Sequence, residues 1–192
     1  MIKLFLAGDV MTGRAIDQIL PYPGNPQLFE PDLRSALDYV ALAGHANGRI
    51  PRPVSFDYIW GDALDELFLR KPDIRIANLE TAVTVEQSFE RKSINYRMHP
   101  HNVAALTAAG LDCCVLANNH VLDWGERGLL DTLIALRRAG IQTAGAGRDL
   151  AEASQPAILK TGRSSRILVF SFGLESSGIP PHWAAGDYLP GV

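Results

Sequence analysis

Three apolar segments of this chain each run into side chains able to hold a cation or carry a proton. Val115-Leu116-Ala117 leads into Asn118-Asn119-His120, Ile2 to Ala7 leads into Gly8-Asp9, and Ile74 to Ala77 leads into Asn78-Leu79-Glu80. Asp9 and Glu80 would supply charged oxygen donors and Asn119 a carbonyl oxygen, while the His120 imidazole ligates metals or transfers protons. A mixed oxygen and nitrogen set of this kind suits a divalent cation: Mn, Fe, Zn or Mg. Such an ion lowers the pKa of bound water and polarises a phosphoryl or carbonyl oxygen, so the natural reaction class is hydrolysis. Arg14, five residues past Asp9, carries a planar fork that matches phosphate or carboxylate. Arg14 and Asn118 are the candidates for holding a substrate.

Each residue has a plainer role open to it. Asp9 could cap a helix starting near Thr12, and Asp123-Trp124-Gly125-Glu126 has capping-box spacing. Glu80 could be a solvated charge, Asn118 and Asn119 turn residues, His120 a structural histidine and Arg14 a surface group. The argument for a site is positional. In open α/β sheets ligands sit beyond the carboxyl ends of the strands, and all of these residues fall on that edge if the strands are parallel. His99, His101, His45 and His182 lie in a loop, an insertion and the tail, and none is expected to be a ligand.

The elements that must position these groups are short apolar runs alternating with amphipathic stretches, the pattern of an α/β fold with a buried parallel sheet. Strands are expected at 2–7, 74–78, 112–117, 141–144, 156–160 and 166–172. The clearest helix spans 126–139, with Leu129, Leu130, Leu133, Ile134 and Leu136 inward, Arg137 and Arg138 at its negative end and Gly140 just past it. A shorter helix covers Val103 to Ala109 and stops at Gly110. Another spans Phe56 to Leu69, with Ile59, Leu64, Leu67 and Phe68 inward. Segment 21–53 holds half of the chain's 12 prolines around one helix at 33–42. It reads as an insertion over the sheet edge, either a lid or a plain surface excursion. After Phe172 the turn formers multiply, yet Trp183, Tyr188 and Leu189 call for burial.

At 192 residues and 47% hydrophobic composition, one domain with a sizeable core is expected. A net charge of −3, from 18 basic and 21 acidic residues spread along the chain, gives no reason to propose nucleic acid as a partner. A small or independently positioned ligand fits better. No stretch approaches the roughly 20 apolar residues of a membrane span, and Met1 to Ala7 lacks the features of a secretory signal, so a cytoplasmic location is expected. Cys113 and Cys114 are neighbours on a strand, point to opposite faces and read as small buried hydrophobes.

Taken in order, Gly8-Asp9-Val10-Met11-Thr12-Gly13-Arg14, Ala77-Asn78-Leu79-Glu80-Thr81 and Ala117-Asn118-Asn119-His120-Val121-Leu122-Asp123-Trp124-Gly125 resemble the CapA family. These are bacterial poly-gamma-glutamate capsule-synthesis proteins whose domain is similar to the calcineurin-like metallophosphoesterases. The resemblance implies a metallophosphoesterase-like four-layer α/β/β/α sandwich, incomplete in this chain, with a dinuclear metal centre at the strand ends. By position it implies Asp9 as the first-strand ligand, Glu80 at the bridging carboxylate, Asn119 as the amide ligand and His120 as the proton donor to a leaving group. Met11 stands where the phosphoesterases have a ligand histidine, and Asn118 replaces their glycine. The family's later metal histidines, in a Gly-His-x-His-like segment, are not among these residues. Two functions follow from the resemblance: a metal-dependent hydrolase of a phosphoester or glutamyl amide, or a non-catalytic factor that binds capsule polymer or partner proteins. At most half of a dinuclear site is expected within residues 1–192.

Overall fold

The computed structural model describes residues 1–162 and 165–192. Along the chain, β1 (Leu4–Val10) leads to α1 (Arg14–Ile19), α2 (Ala36–Asn47), a 3-10 turn at Tyr58–Trp60, α3 (Ala63–Arg70) and β2 (Ile74–Leu79). Two minimal strands, β3 (Ala82–Val83) and β4 (Arg97–Met98), precede α4 (Ala104–Ala108), β5 (Cys113–Val115), α5 (Gly125–Arg138) and β6 (Gln142–Ala144). Then come α6 (Leu150–Ala153) and the strands β7 (Ala157–Thr161) and β8 (Ser165–Val169).

The expected α/β fold with a parallel sheet is present. Strands pair in the order β1-β2-β5-β6, all parallel, because a helical crossover separates each pair and returns the chain to the same end. One face of the sheet packs Ala77 and Cys114 against Leu106 of α4 and Leu129, Leu133 and Leu136 of α5. The other face sets Ile74, Ile76, Cys113 and Ala144 against Ala157 and Leu159 of the antiparallel β7–β8 pair. The two cysteines thus serve opposite faces, as alternation requires, and burial pushes the Cys113 thiol up to about 12.

A glycine closes the longest helix. Gly140, at φ +75°, takes the left-handed step after α5, and Ile141 N–H then reaches the Leu136 carbonyl at 3.0 Å, which satisfies an orphan acceptor. Two expected inward residues are not inward. Ile134 is 46% exposed, because the buried stripe of α5 runs through Gly128, Leu129, Thr132, Leu133 and Leu136 and leaves position 134 on the outer flank. Phe68 is 75% exposed: the expected 56–69 helix breaks at Gly61 (φ +49°) and restarts with only Leu67 buried. In the tail Trp183 is buried, but Tyr188 is exposed and Leu189 keeps much of its surface.

Segment 21–53 folds back over α1. Leu28 N–H bonds the Arg34 carbonyl at 2.9 Å, α2 packs on α1, and Val40 and Val54 join Ile19, Leu20 and Ala105 in a separate apolar cluster. No helix among the described residues is long and apolar enough to cross a membrane.

Candidate functional site

The first and second strands deliver their acidic residues to one point on the carboxyl rim of the sheet. The β1–β2 register shifts between Ala7 and Asp9, so Gly8 is an extra residue and Asp9 comes level with Asn78. Asn78 Nδ2 then donates to Asp9 Oδ1 at 2.8 Å and to Glu80 Oε2 at 2.5 Å, which sets the two carboxylates on either side of one amide. Burial pushes the Glu80 carboxyl above its ordinary range; the Asn78 hydrogen bond opposes that shift, and the charge of Asp9 adds to it.

The third motif divides its residues. Asn118 Nδ2 donates to Asn78 Oδ1 and to the Leu79 carbonyl, both at 2.9 Å, and Asn118 Oδ1 accepts the His120 N–H at 3.0 Å. Asn118 therefore ties the end of β5 to the carboxylate pair. The Asn119 side chain lies beside Gly178 in the tail, within 3.4–3.6 Å of where a Cβ there would stand. The backbone carbonyl of Asn119 accepts from Lys92 Nζ.

His120 is buried and held from two sides. Its Nδ1 is 2.7 Å from Asp123 Oδ2, and Tyr96 stacks on its ring with centroids 4.0 Å apart. Asp123, fully buried, also accepts the Tyr96 N–H at 2.6 Å and lies 2.5 Å from Lys92 Nζ through its other oxygen. A carboxylate facing Nδ1 favours the tautomer that carries its hydrogen there and turns the other ring nitrogen, Nε2, outward from the pair; Lys92 Nζ lies 3.3 Å from the same Nδ1.

Two of the plainer roles, the caps at Asp123 and Asp9, are set aside by this geometry. Asp123 does not cap α5: that helix begins after Trp124, with no side-chain cap, and the turn closed by Gly125 (φ +65°) sends Asp123 inward to Lys92 and His120. A half-buried cation and an imidazole outcompete the helix end as partners. Asp9 is not a cap either, since α1 starts after Gly13. Arg14 is no free surface group. Its Nε is 2.6 Å from Glu30 Oε1, and its guanidinium lies 4.8 Å from the ring of Tyr96 and 4.9 Å from that of Tyr39.

Among the described residues, no group of three or more His, Cys, Asp or Glu side chains is gathered so as to hold a metal ion. The donor chemistry fits part of one coordination shell. Two adjacent carboxylates, one of them hard to ionise because it is buried next to the other, form a place where a cation would relieve repulsion.

The matches to known sequences bear on this arrangement. Residues 3–192 match the family described as "Bacterial capsule synthesis protein PGA_cap". The chain belongs to that family. Over its whole length it is 50% identical to a "Probable polyglutamine synthesis accessory protein" of Mycobacterium tuberculosis, of which it covers 51%. It is 24% identical to the "PGA biosynthesis protein CapA" of Bacillus subtilis, again over all of this chain and 42% of that protein. With the "Capsule biosynthesis protein CapA" of Bacillus anthracis it shares 25% identity over 148 residues. The chain spans about half the length, or less, of these relatives.

Within this PGA_cap chain, the contributions of Asn78, Lys92 and Tyr96 were not foreseen from the sequence. Asn78 had a readable signal, since it stands at a strand end two residues before Glu80. Lys92 and Tyr96 come from the irregular loop between β3 and β4, where no periodicity marks which side chains turn inward.

Proposed function

We propose that this PGA_cap chain carries part of a metal-dependent hydrolytic centre that acts on a phosphoester or a glutamyl amide in capsule polymer synthesis. The observation that carries the reading is the buried His120–Asp123 pair beside the Asp9–Asn78–Glu80 cluster on one sheet rim. Asp9 and Glu80 would hold a divalent cation, with an Asn118 or Asn119 amide oxygen as a further donor. When bound, such an ion supplies Lewis acidity and a more acidic water.

The chain's own residues account for the proton. Hydrolysis adds the water oxygen to phosphorus or carbon, breaks the bond to the leaving oxygen or nitrogen, and moves one proton to that leaving atom. His120 Nε2 is suited to carry it, because Asp123 fixes the tautomer and stabilises the imidazolium that forms in passing. Lys92 offsets the Asp123 charge. Arg14 would orient the anionic part of the substrate.

The test is hydrolysis of a phosphodiester and of a gamma-glutamyl anilide by the full-length protein with Mn²⁺, alongside Asp9→Ala and His120→Ala. Both variants are expected to lose at least about a hundredfold in rate, the scale of general acid–base catalysis. Equal rates in wild type and both variants would end the catalytic reading. A second reading, a non-catalytic factor that binds glutamyl polymer, is favoured by Met11 and by the lack of a three-ligand cluster among the described residues. It predicts polymer binding that survives both substitutions.

A further inference from the structure

We infer that the proline-rich segment 21–53 is a brace that sets the Arg14 guanidinium for oxyanion binding, with Glu30 and Tyr39 as its positioning residues. This rests on the reading of Arg14 as the group that holds the substrate's anion. The segment lies outside the three strand-end motifs, and nothing in those motifs requires it.

Arg14 is built in a costly way. Its backbone sits at φ +49°, a region that side-chain-bearing residues avoid, at the first position of α1. That conformation carries the side chain between two aromatic rings, Tyr39 from the segment and Tyr96 from the β3–β4 loop. Glu30 then takes one edge: its Oε1 accepts from Arg14 Nε at 2.6 Å, while its Oε2 accepts the Tyr39 hydroxyl at 2.7 Å. The Arg14 and Glu30 side chains keep only 16% and 6% of their exposure.

Among the described residues the hydrogen bond of Arg14 is made by Nε, so the brace itself does not consume the fork formed by the two terminal nitrogens. A guanidinium held at Nε and flanked by two aromatic rings has little rotational freedom left. It can meet a phosphate or carboxylate without an ordering cost. Its place is set by Tyr96, whose ring centroid lies 4.8 Å from the Arg14 guanidinium carbon and 4.0 Å from that of His120. The oxyanion would therefore be held one aromatic ring away from the proton carrier. The ligand chemistry is a tetrahedral or planar oxyanion, supplied either by a phosphoester or by a glutamyl carboxylate.

The experiment is calorimetric titration of the full-length protein with inorganic phosphate and, separately, with glutarate; the tighter of the two identifies the source. Arg14→Ala is expected to weaken that anion at least about tenfold, the equivalent of one charged hydrogen bond. Tyr39→Leu and Glu30→Ala are expected to weaken it comparably, and neither should weaken it further in an Arg14→Ala background. Glu30→Gln keeps an acceptor for Nε and should bind as wild type does, because the role is geometric. If Tyr39→Leu does not fold, Tyr39→Phe, which loses only the hydroxyl bond to Glu30, takes its place and is expected to weaken binding by a smaller factor. Loss of binding in Arg14→Ala with wild-type binding in the Tyr39 and Glu30 variants overturns the brace and leaves the functional reading intact. Wild-type affinity in Arg14→Ala, or no binding of either anion by the wild type, overturns the brace together with the anion-holding role of Arg14, while the hydrolytic reading stands or falls on the Asp9→Ala and His120→Ala rates.

Discussion

At the level of single residues, the chemistry depends on buried polar groups that are costly to leave unpaired. Asp123 is fully buried with Lys92, His120 and the Tyr96 N–H as partners, so its removal strands a cation and two donors together. Asp123→Ala is expected to lower the stability measured by urea denaturation by about 3–5 kcal/mol, the usual effect of breaking a buried ion pair from one side. Asp17 makes a different case. It accepts from Gly24 N–H at 2.7 Å, His99 N–H at 2.8 Å and Asn102 Nδ2 at 2.7 Å, yet burial outweighs these bonds and holds its carboxyl above the ordinary range. A carboxyl whose folded pKa is raised binds its proton more tightly in the fold. Its contribution is therefore fully present below the unfolded value of about 3.9 and is lost as pH rises through the folded one. Urea denaturation of wild type and Asp17→Asn between pH 3 and 7 should show the wild type losing stability relative to the variant as pH rises. The difference between wild type and Asp17→Asn isolates it, since the variant cannot ionise; a difference that is flat with pH would refute the assignment.

At the level of elements, the sequence told most where a rule of periodicity or capping acts alone. The β1, β2, β5 and β6 runs, most of the stripe of α5 and its stop at Gly140 are legible, because short apolar runs joined by helical crossovers and a glycine-closed helix leave few alternatives. The strand-end motifs were legible for the same reason. Legibility failed where tertiary partners compete with local ones. Asp123 has the spacing of a cap and is taken instead by Lys92 and His120, while β3 and β4, two residues each, are too short to show alternation. Gly128 shows such competition in reverse. A glycine inside α5 sacrifices helix propensity, but a Cβ there would stand 2.6 Å from Trp124 Cβ and 3.4 Å from Thr84 Cγ2. Gly128→Ala is therefore expected to destabilise the protein by about 1–3 kcal/mol, as overpacking does, even though alanine is the better helix former. Thermal melting followed by circular dichroism decides it: a raised melting temperature would mean that the helix N-terminus has room to move.

For the molecule as a whole, the parallel sheet is covered unevenly, and this has a measurable consequence. The register pairs Leu4 with Ile74 and Leu6 with Ile76, so these β1 residues share the face that β7 and β8 cover further along the sheet. That cover stops short of β1, where Leu4 stays 43% and Leu6 67% exposed. Past β8, Phe170 and Phe172 stack with centroids 6.2 Å apart and are also exposed, the latter at 79%. Apolar residues exposed singly are ordinary, but two leucines in register on an edge strand and a stacked phenylalanine pair are surfaces that soluble monomers usually keep covered. The 192-residue chain is expected to bind an apolar dye in its native state and to self-associate with rising concentration in sedimentation velocity. Leu6→Glu and Phe172→Glu should each reduce both signals while shifting the melting temperature little, because a charge at either position is already in water. If both variants sediment and bind dye as the wild type does, the sticky surface lies elsewhere. If Leu6→Glu instead unfolds the chain, β1 is less open at its outer face than its exposure implies.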